Sequence, residues 1–485
     1  MHLGISRRFS VDAAVSSRAL NARDGRFDGV FFVGITTTHI YCRPICPSRF
    51  ALDRNRRFFA TAAAAEHAGF RPCLRCRPEL APGRALCEAV SRLARVAVHR
   101  ITAGALNGRS VAQLARELGV SERHLRRALE REIGVSPVEL AQTHRLLLAK
   151  RLLADTKLSI TTIAFTSGFQ SLRRFNTVFR ARYGMSPTVL RRAQARRGST
   201  EPLADFVRLT LAYRAPLAWS SLLALLGAEA VEQAAVVNGP RYGRTVRIDG
   251  RSGAVFVEQA PGAANLLNVD ISLALTPVLM PLLARLRQLL DLDAEPAMID
   301  ACLAHGGLRR LVKQTPGLRI PGAFDGFELV LCALLNGSVK PGTRSSELMR
   351  RVTHAFGESI DTGVPTLTRL MPTAAQIADA GCSALVALGT PKRRANALVA
   401  IARMVAAGSL RLEAGSDPVV TRDALLSVES VGDRLATTLV MRALRWPDAF
   451  PASDPSLTTH VARAESWRPW RAYAALHLWL GARRQ

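Results

Sequence analysis

The sequence predicts a multidomain, mainly α protein. It has a small α/β domain over residues 1–82, a helical domain of two repeated units over 85–195, a second α/β domain over 203–315 and a helical domain over 316–485. Three observations predict this. A chain of 485 residues has room for three or four cores at ~150 residues per domain. The net charge of +28 is uneven: residues 1–200 hold 35 basic and 13 acidic side chains (net +22), and residues 201–485 hold 31 and 25 (net +6). The residue pattern also changes along the chain. A cysteine cluster ends at Pro78 and Pro82, strongly basic helical periods follow, and residues 196–202 have no apolar period and read as a linker. Beyond it, strand-like runs over 245–248, 254–258 and 266–271 mix with helices.

With 48% apolar and 21% charged residues, the chain is neither a disordered solvating segment nor a collagen-like one. Arg outnumbers Lys 61 to 5, which a GC-rich coding preference explains, but that preference does not produce an excess of cations over acids. The excess points to a nucleic acid partner, met mainly by the first two fifths of the chain. The first residues lack an apolar core of signal-peptide length, and Asp270, Pro277 and Pro281 interrupt the most apolar stretch, 266–283. A cytoplasmic protein without a membrane partner is expected.

In the first domain, Cys42-x3-Cys46 and Cys73-x2-Cys76 stand 26 residues apart. Each short turn presents two sulfurs, so the set can close a tetrahedral four-thiolate zinc site. Half of the eight cysteines lie within 42–76, which is not the pattern of a secreted disulfide framework. Cys87, Cys302, Cys332 and Cys382 are scattered in apolar helical patterns and read as buried free thiols. Spacing alone leaves open a zinc ion that only staples a small domain.

The context is more specific. Thr36-Thr37-Thr38-His39-Ile40-Tyr41-Cys42-Arg43-Pro44-Ile45-Cys46-Pro47, Arg56-Arg57-Phe58-Phe59-Ala60-Thr61 and Gly69-Phe70-Arg71-Pro72-Cys73-Leu74-Arg75-Cys76-Arg77-Pro78 closely resemble the N-terminal domain of the Ada family, over residues 20–80. The resemblance implies that Cys42 is both zinc ligand and acceptor of the methyl group of a DNA methylphosphotriester. Cys46, Cys73 and Cys76 remain ligands, and Thr38, Arg49, Arg71 and Arg75 match phosphate-contacting positions. The chemistry is sound: a thiolate kept deprotonated by zinc can attack a methyl group whose leaving group is a phosphodiester. Four thiolates on a divalent ion carry −2 and methylation leaves −1, which should raise affinity for DNA.

In the second domain Val111, Leu114, Ala115 and Leu118 recur at helical spacing before a Gly119 turn, with Ser121 capping the next helix. Ile160, Ile163 and Ala164 repeat the pattern before Gly168, and each unit closes with Gly-x-Ser-Pro, at Gly134 to Pro137 and Gly184 to Pro187. Two helix-turn-helix units follow. On the first recognition helix Leu125, Ala128 and Leu129 face inward, leaving Arg123, His124, Arg126 and Arg127 for DNA. On the second, Leu172, Phe175, Val178 and Phe179 face inward, leaving Arg173, Arg174 and Asn176. The segment resembles an AraC-type DNA-binding domain.

The last two domains carry, in order, residues 316–328, Leu388-Gly389-Thr390-Pro391-Lys392-Arg393-Arg394, Phe450-Pro451-Ala452-Ser453-Asp454 and the Trp467-to-Trp479 segment. Together they resemble the AlkA family of helix-hairpin-helix alkylbase DNA glycosylases, with 203–315 similar to its N-terminal α/β domain. The resemblance implies that Asp454 is the catalytic carboxylate and Trp479 lines the base pocket. An N-alkylated purine is cationic and a good leaving group, so the site needs a flipped base, aromatic faces and one carboxylate. Departures accompany the match. The hairpin reads Val428-Glu429-Ser430-Val431-Gly432 where Leu-Pro-Gly-Ile-Gly is usual, Arg434 and Pro455 replace aromatics, and Asn336-Gly337-Ser338 fills the wedge region.

The expectation is an alkylation-damage repair protein and transcription activator that binds zinc and double-stranded DNA, contacts RNA polymerase and excises N-alkylated purines. The alternative is a zinc-stapled regulator whose C-terminal half is an inactive DNA-binding scaffold.

Overall fold

In a computed structural model the chain is described over residues 12–49, 51–83, 91–194, 205–262, 265–338 and 340–482. The linker expected over 196–202 and Cys87 lie outside these residues. Contacts divide the chain into two compact units, residues 1–214 with 276–284 and residues 215–275 with 285–485.

Among the described residues the first unit opens with the Ala13–Asn21 helix and continues into a four-stranded sheet. Its strands are β1 (Phe32–Ile35), β2 (Ile40–Cys42), β3 (Arg56–Phe59) and β4 (Arg71–Pro72). Strand β1 runs antiparallel to both β2 and β3, and β4 joins β2 in parallel. Side chains alternate across the sheet. Val33 and Ile35 pack with the four cysteines and Leu20 on one face, while Phe32 and Tyr41 pack with Ala65 and Phe70 on the other. Among the described residues seven helices follow, from Arg92–Thr102 to Pro187–Gln194. Ser110 and Ser136 form capping boxes with Gln113 and Glu139, Ser121 caps the first recognition helix as expected, and Ser171 caps the second. Gly134 and Gly184 end those helices in the left-handed conformation that glycine adopts without steric penalty.

Residues 1–82 and 85–195, read from the sequence as separate domains, fall in one compact unit. Buried charge explains this. Lys150, on the Pro137–Asp155 helix, has no exposed surface; its ammonium donates to the Cys73 carbonyl at 3.3 Å and is ion-paired with Glu79. Arg77 bridges Glu79 at 2.9 Å and Asp155 at 2.8 Å. On the same Pro137–Asp155 helix Thr143 donates to buried Glu66 at 2.8 Å, and Tyr41 donates to the same carboxyl at 3.1 Å. Neither ionic cluster can be cut at residue 82 without stranding charge in a dry interior. Strand β5 (Phe206–Ala212) also belongs to this unit.

In the second unit β6 (Ala235–Asn238), β7 (Arg241–Ile248), β8 (Arg251–Gln259) and β9 (Leu266–Ser272) form an antiparallel meander. The three runs read from the sequence lie inside β7, β8 and β9, which are longer; β5 and β6 were not among the expected strands. Arg244 of β7 pairs with Glu328 of the Gly326–Asn336 helix at 2.7 Å, and Arg442 pairs with Glu229 at 2.7 Å. The remaining helices, among them Pro418–Leu426, Asp433–Ala443 and Arg471–Ala482, enclose two apolar cores centred on Leu331, Leu398 and Leu439 and on Leu303, Trp467 and Leu476. Cys302, Cys332 and Cys382 are half-buried rather than fully buried, and their thiols are free. Among the described residues no helix is long and apolar enough to cross a membrane.

Candidate functional site

Strand β2 ends on Cys42, a tight turn brings Cys46 back with its N–H on the Arg43 carbonyl at 3.1 Å, and β4 delivers Cys73, whose N–H donates to the Tyr41 carbonyl at 3.0 Å. With Cys76 these place four buried sulfurs within 4.8 Å of one another. Tetrahedral Zn–S bonds of about 2.3 Å put sulfurs ~3.8 Å apart, so the set fits a zinc ion. Hydrogen bonds to the other three sulfurs and burial push Cys42 up, and the same sulfur contacts pull Cys46 down. A divalent cation satisfies all four as thiolates. Arg43, which sequence reasoning passed over, holds the frame. It is buried, its Nε donates to Asp28 at 2.8 Å, its Nη1 to the Cys76 carbonyl at 3.1 Å and its backbone N–H to the Cys76 sulfur at 3.4 Å.

The segments that carry the sulfurs also carry exposed polar and basic groups. Thr38 is exposed in the β1–β2 turn, Arg71 on β4, Arg75 between Cys73 and Cys76, and Arg49 beyond Cys46. On the recognition helices Glu122–Ile133 and Leu172–Tyr183, Leu125, Leu129, Phe175 and Phe179 are buried, and Arg123, His124, Arg127, Arg173 and Arg174 are exposed. Arg126 and Asn176 are half-buried, and Arg126 is held by Glu122 one turn back at 2.6 Å.

In the second unit Asp454 and Trp479 come together. The indole N–H of Trp479, on the Arg471–Ala482 helix, donates to Asp454 Oδ1 at 3.4 Å; Trp479 is 3% exposed and Asp454 is 0% exposed. Oδ1 also accepts from the Ser456 backbone at 3.0 Å and hydroxyl at 2.5 Å. Lys340, unnoticed in the sequence, spans the carboxylate, with Nζ 2.9 Å from Oδ1 and 2.8 Å from Oδ2. Burial works against ionisation of Asp454, but hydrogen bonds from Lys340 and Ser456 outweigh it and hold the carboxyl below its ordinary range. Asp454 is therefore a carboxylate at neutral pH, but one already neutralised by an ammonium.

The expected departures are placed as follows. Pro418–Leu426, residues 427–432 and Asp433–Ala443 form the hairpin pair, and Asp433 accepts from Ser453 at 2.9 Å, tying it to the Asp454 loop. Glu429 is exposed, and Ser430 stands at φ 69°, the left-handed conformation that a glycine would take more easily. Arg434 and Pro455 are exposed. The cation at the carboxylate is Lys340 rather than Arg434. Asn336 accepts from the Ser346 N–H at 3.0 Å and hydroxyl at 2.7 Å, and Ser338 accepts from the Lys340 N–H at 3.3 Å, so the wedge region instead builds the loop that presents Lys340.

Comparison with known proteins matches residues 16–79 to the metal binding domain of Ada, 114–193 to a helix-turn-helix domain and 208–325 to the AlkA N-terminal domain. The chain is 38% identical over 480 residues to a Mycobacterium tuberculosis (strain H37Rv) protein named "Probable bifunctional transcriptional activator/DNA repair enzyme AlkA", covering 95% of each. It is 32% identical over 279 residues to DNA-3-methyladenine glycosylase 2 of Escherichia coli (strain K12), 56% of this chain and 96% of that one. It is also 34% identical over 149 residues to the bifunctional transcriptional activator/DNA repair enzyme Ada of the same organism, 30% of this chain and 40% of that one. The chain thus belongs to the family in which an Ada-type metal-binding and helix-turn-helix segment is fused to an AlkA-type glycosylase segment.

Proposed function

We propose that the chain repairs alkylated DNA at two sites and reports the damage to transcription. The convergence of four buried sulfurs, on turns that expose Thr38, Arg49, Arg71 and Arg75, carries the first part. Zinc, when bound, keeps Cys42, Cys46, Cys73 and Cys76 as thiolates. The exposed arginines hold the DNA backbone, and Cys42 Sγ attacks the methyl carbon of a phosphotriester. The S–C bond forms, the O–C bond breaks and a phosphodiester anion leaves. The thioether is stable, so each chain acts once, and the lost charge favours operator binding by the two recognition helices. As an activator it would recruit RNA polymerase, in the cytoplasm where the thiols stay reduced. Uptake of labelled methyl from methylphosphotriester DNA, abolished in Cys42→Ala, tests this part.

For the second unit we infer excision of an altered purine, with Asp454 stabilising the cationic sugar as the base departs. Release of free base by wild type but not by Asp454→Asn supports it; equal release from both contradicts it. One observation favours the scaffold reading for this unit: Asp454 and Trp479 are buried and Lys340 lies across the carboxylate.

A further inference from the structure

The glycosylase site holds a cation of its own. Lys340 Nζ contacts both oxygens of Asp454, reaches the Ser456 hydroxyl at 3.2 Å and sits 5.5 Å from the centroid of the Trp479 ring. An ammonium over an aromatic face and against a carboxylate is the environment that a positively charged base and sugar would seek. Its backbone is fixed. The Lys340 N–H donates to Ser338, its carbonyl accepts from the Thr343 hydroxyl at 2.7 Å and N–H at 3.1 Å, and the Gly342 N–H is held by Glu229 at 2.7 Å. The side chain is 29% exposed.

We propose that Lys340 sets the charge preference of this pocket: its ammonium occupies the place of a cationic ligand, so that the pocket favours bases that are neutral in DNA, whose C1′–N9 electron pair departs on the base as an anion facing the ammonium, over N-alkylpurines that are cationic in DNA and leave as neutral molecules. The inference rests on the reading of Asp454 as the glycosylase carboxylate. A cationic base entering over Trp479 meets a like charge and an Asp454 whose field is already cancelled. A base that is neutral in DNA meets no such repulsion while Lys340 stays in place. Two unit charges ~5 Å apart in a partly buried site repel enough to change an equilibrium at least tenfold, after discounting for the exposure of Lys340. Lys340 is a specificity-determining residue that acts on the entering base directly and by cancelling the field of Asp454.

The test compares wild type, Lys340→Met and Lys340→Arg as full chains. Release of 7-methylguanine, which is cationic in DNA, is measured against release of hypoxanthine, which is neutral there. The ratio should rise about tenfold in Lys340→Met and stay near wild type in Lys340→Arg. Binding is read in parallel, to a duplex holding a cationic pyrrolidine in place of one sugar and to one holding neutral tetrahydrofuran. Lys340→Met should gain about tenfold for the cationic duplex, and Asp454→Asn on top of it should cancel the gain. An unchanged binding preference in Lys340→Met overturns the proposal. So does an equal loss of affinity for both duplexes, which would make Lys340 a phosphate contact. If no variant releases base while the binding preference shifts as stated, the glycosylase reading fails and the assignment of Lys340 stands.

Discussion

Replacing Lys150 by Met should loosen the first unit and its metal together. The ammonium has no exposed surface and its partner Glu79 has 1% side-chain exposure, so Met leaves a carboxylate in a dry interior. Removing one partner of a buried pair typically costs ~3–5 kcal/mol. Arg77 still lies 2.9 Å from Glu79, which favours the lower end, about 3 kcal/mol. Lys150 also donates to the Cys73 carbonyl, so the turn that aims this sulfur loses an anchor. Urea unfolding followed by circular dichroism, with zinc release followed by a colorimetric chelator, measures both effects. Zinc should be released at lower urea in the variant, and Lys150→Met with Glu79→Gln should recover part of the loss because the stranded charge is gone. A cost below ~1 kcal/mol, or a double variant no better than the single one, would refute the claim that this charge cluster joins the metal module to the helices.

Ser430→Gly should stabilise the second unit by about 1 kcal/mol, since glycine adopts φ 69° without the clash a side chain meets; a urea midpoint that stays or falls contradicts the strain argument. Burial pushes the pKa of His477 down to about 4, so it is neutral in the folded chain. Below ~6.5 the unfolded chain takes up the proton first, and the stability owed to this histidine is lost as pH falls from ~6.5 to ~4, by up to ~3 kcal/mol. His477→Phe should flatten that part of the stability profile; an unchanged slope would mean that the imidazole is hydrated.

What was legible in the sequence was local. The cysteine pairs, the Ser121 cap and the apolar faces of the recognition helices depend on spacings of a few residues, and each appears where the pattern put it. Asp454 and Trp479 were legible as members of an ordered motif series, and the fold brings them into contact. The supporting charges were not. Asp28 meets Arg43 across 15 positions, Glu79 meets Lys150 across 71 and Lys340 meets Asp454 across 114, separations at which no periodicity survives. The conformation of Ser430 was hidden too, because a serine carries no signal for the left-handed region. The pairing of Arg126 with Glu122 was legible from its i,i+4 spacing but was passed over in the sequence.

The central claim is that the sulfur cluster is chemically active and that one member takes the methyl group. Peptide mapping by mass spectrometry, after full-length protein is incubated with DNA carrying methylphosphotriesters, tests it most directly. One methyl per chain, confined to the peptide that ends β2 and assigned to Cys42, with Cys46, Cys73 and Cys76 unmodified, is the predicted result. Zinc-loaded protein that stays unmethylated while bound to the same DNA, or a methyl group on another cysteine, would contradict it.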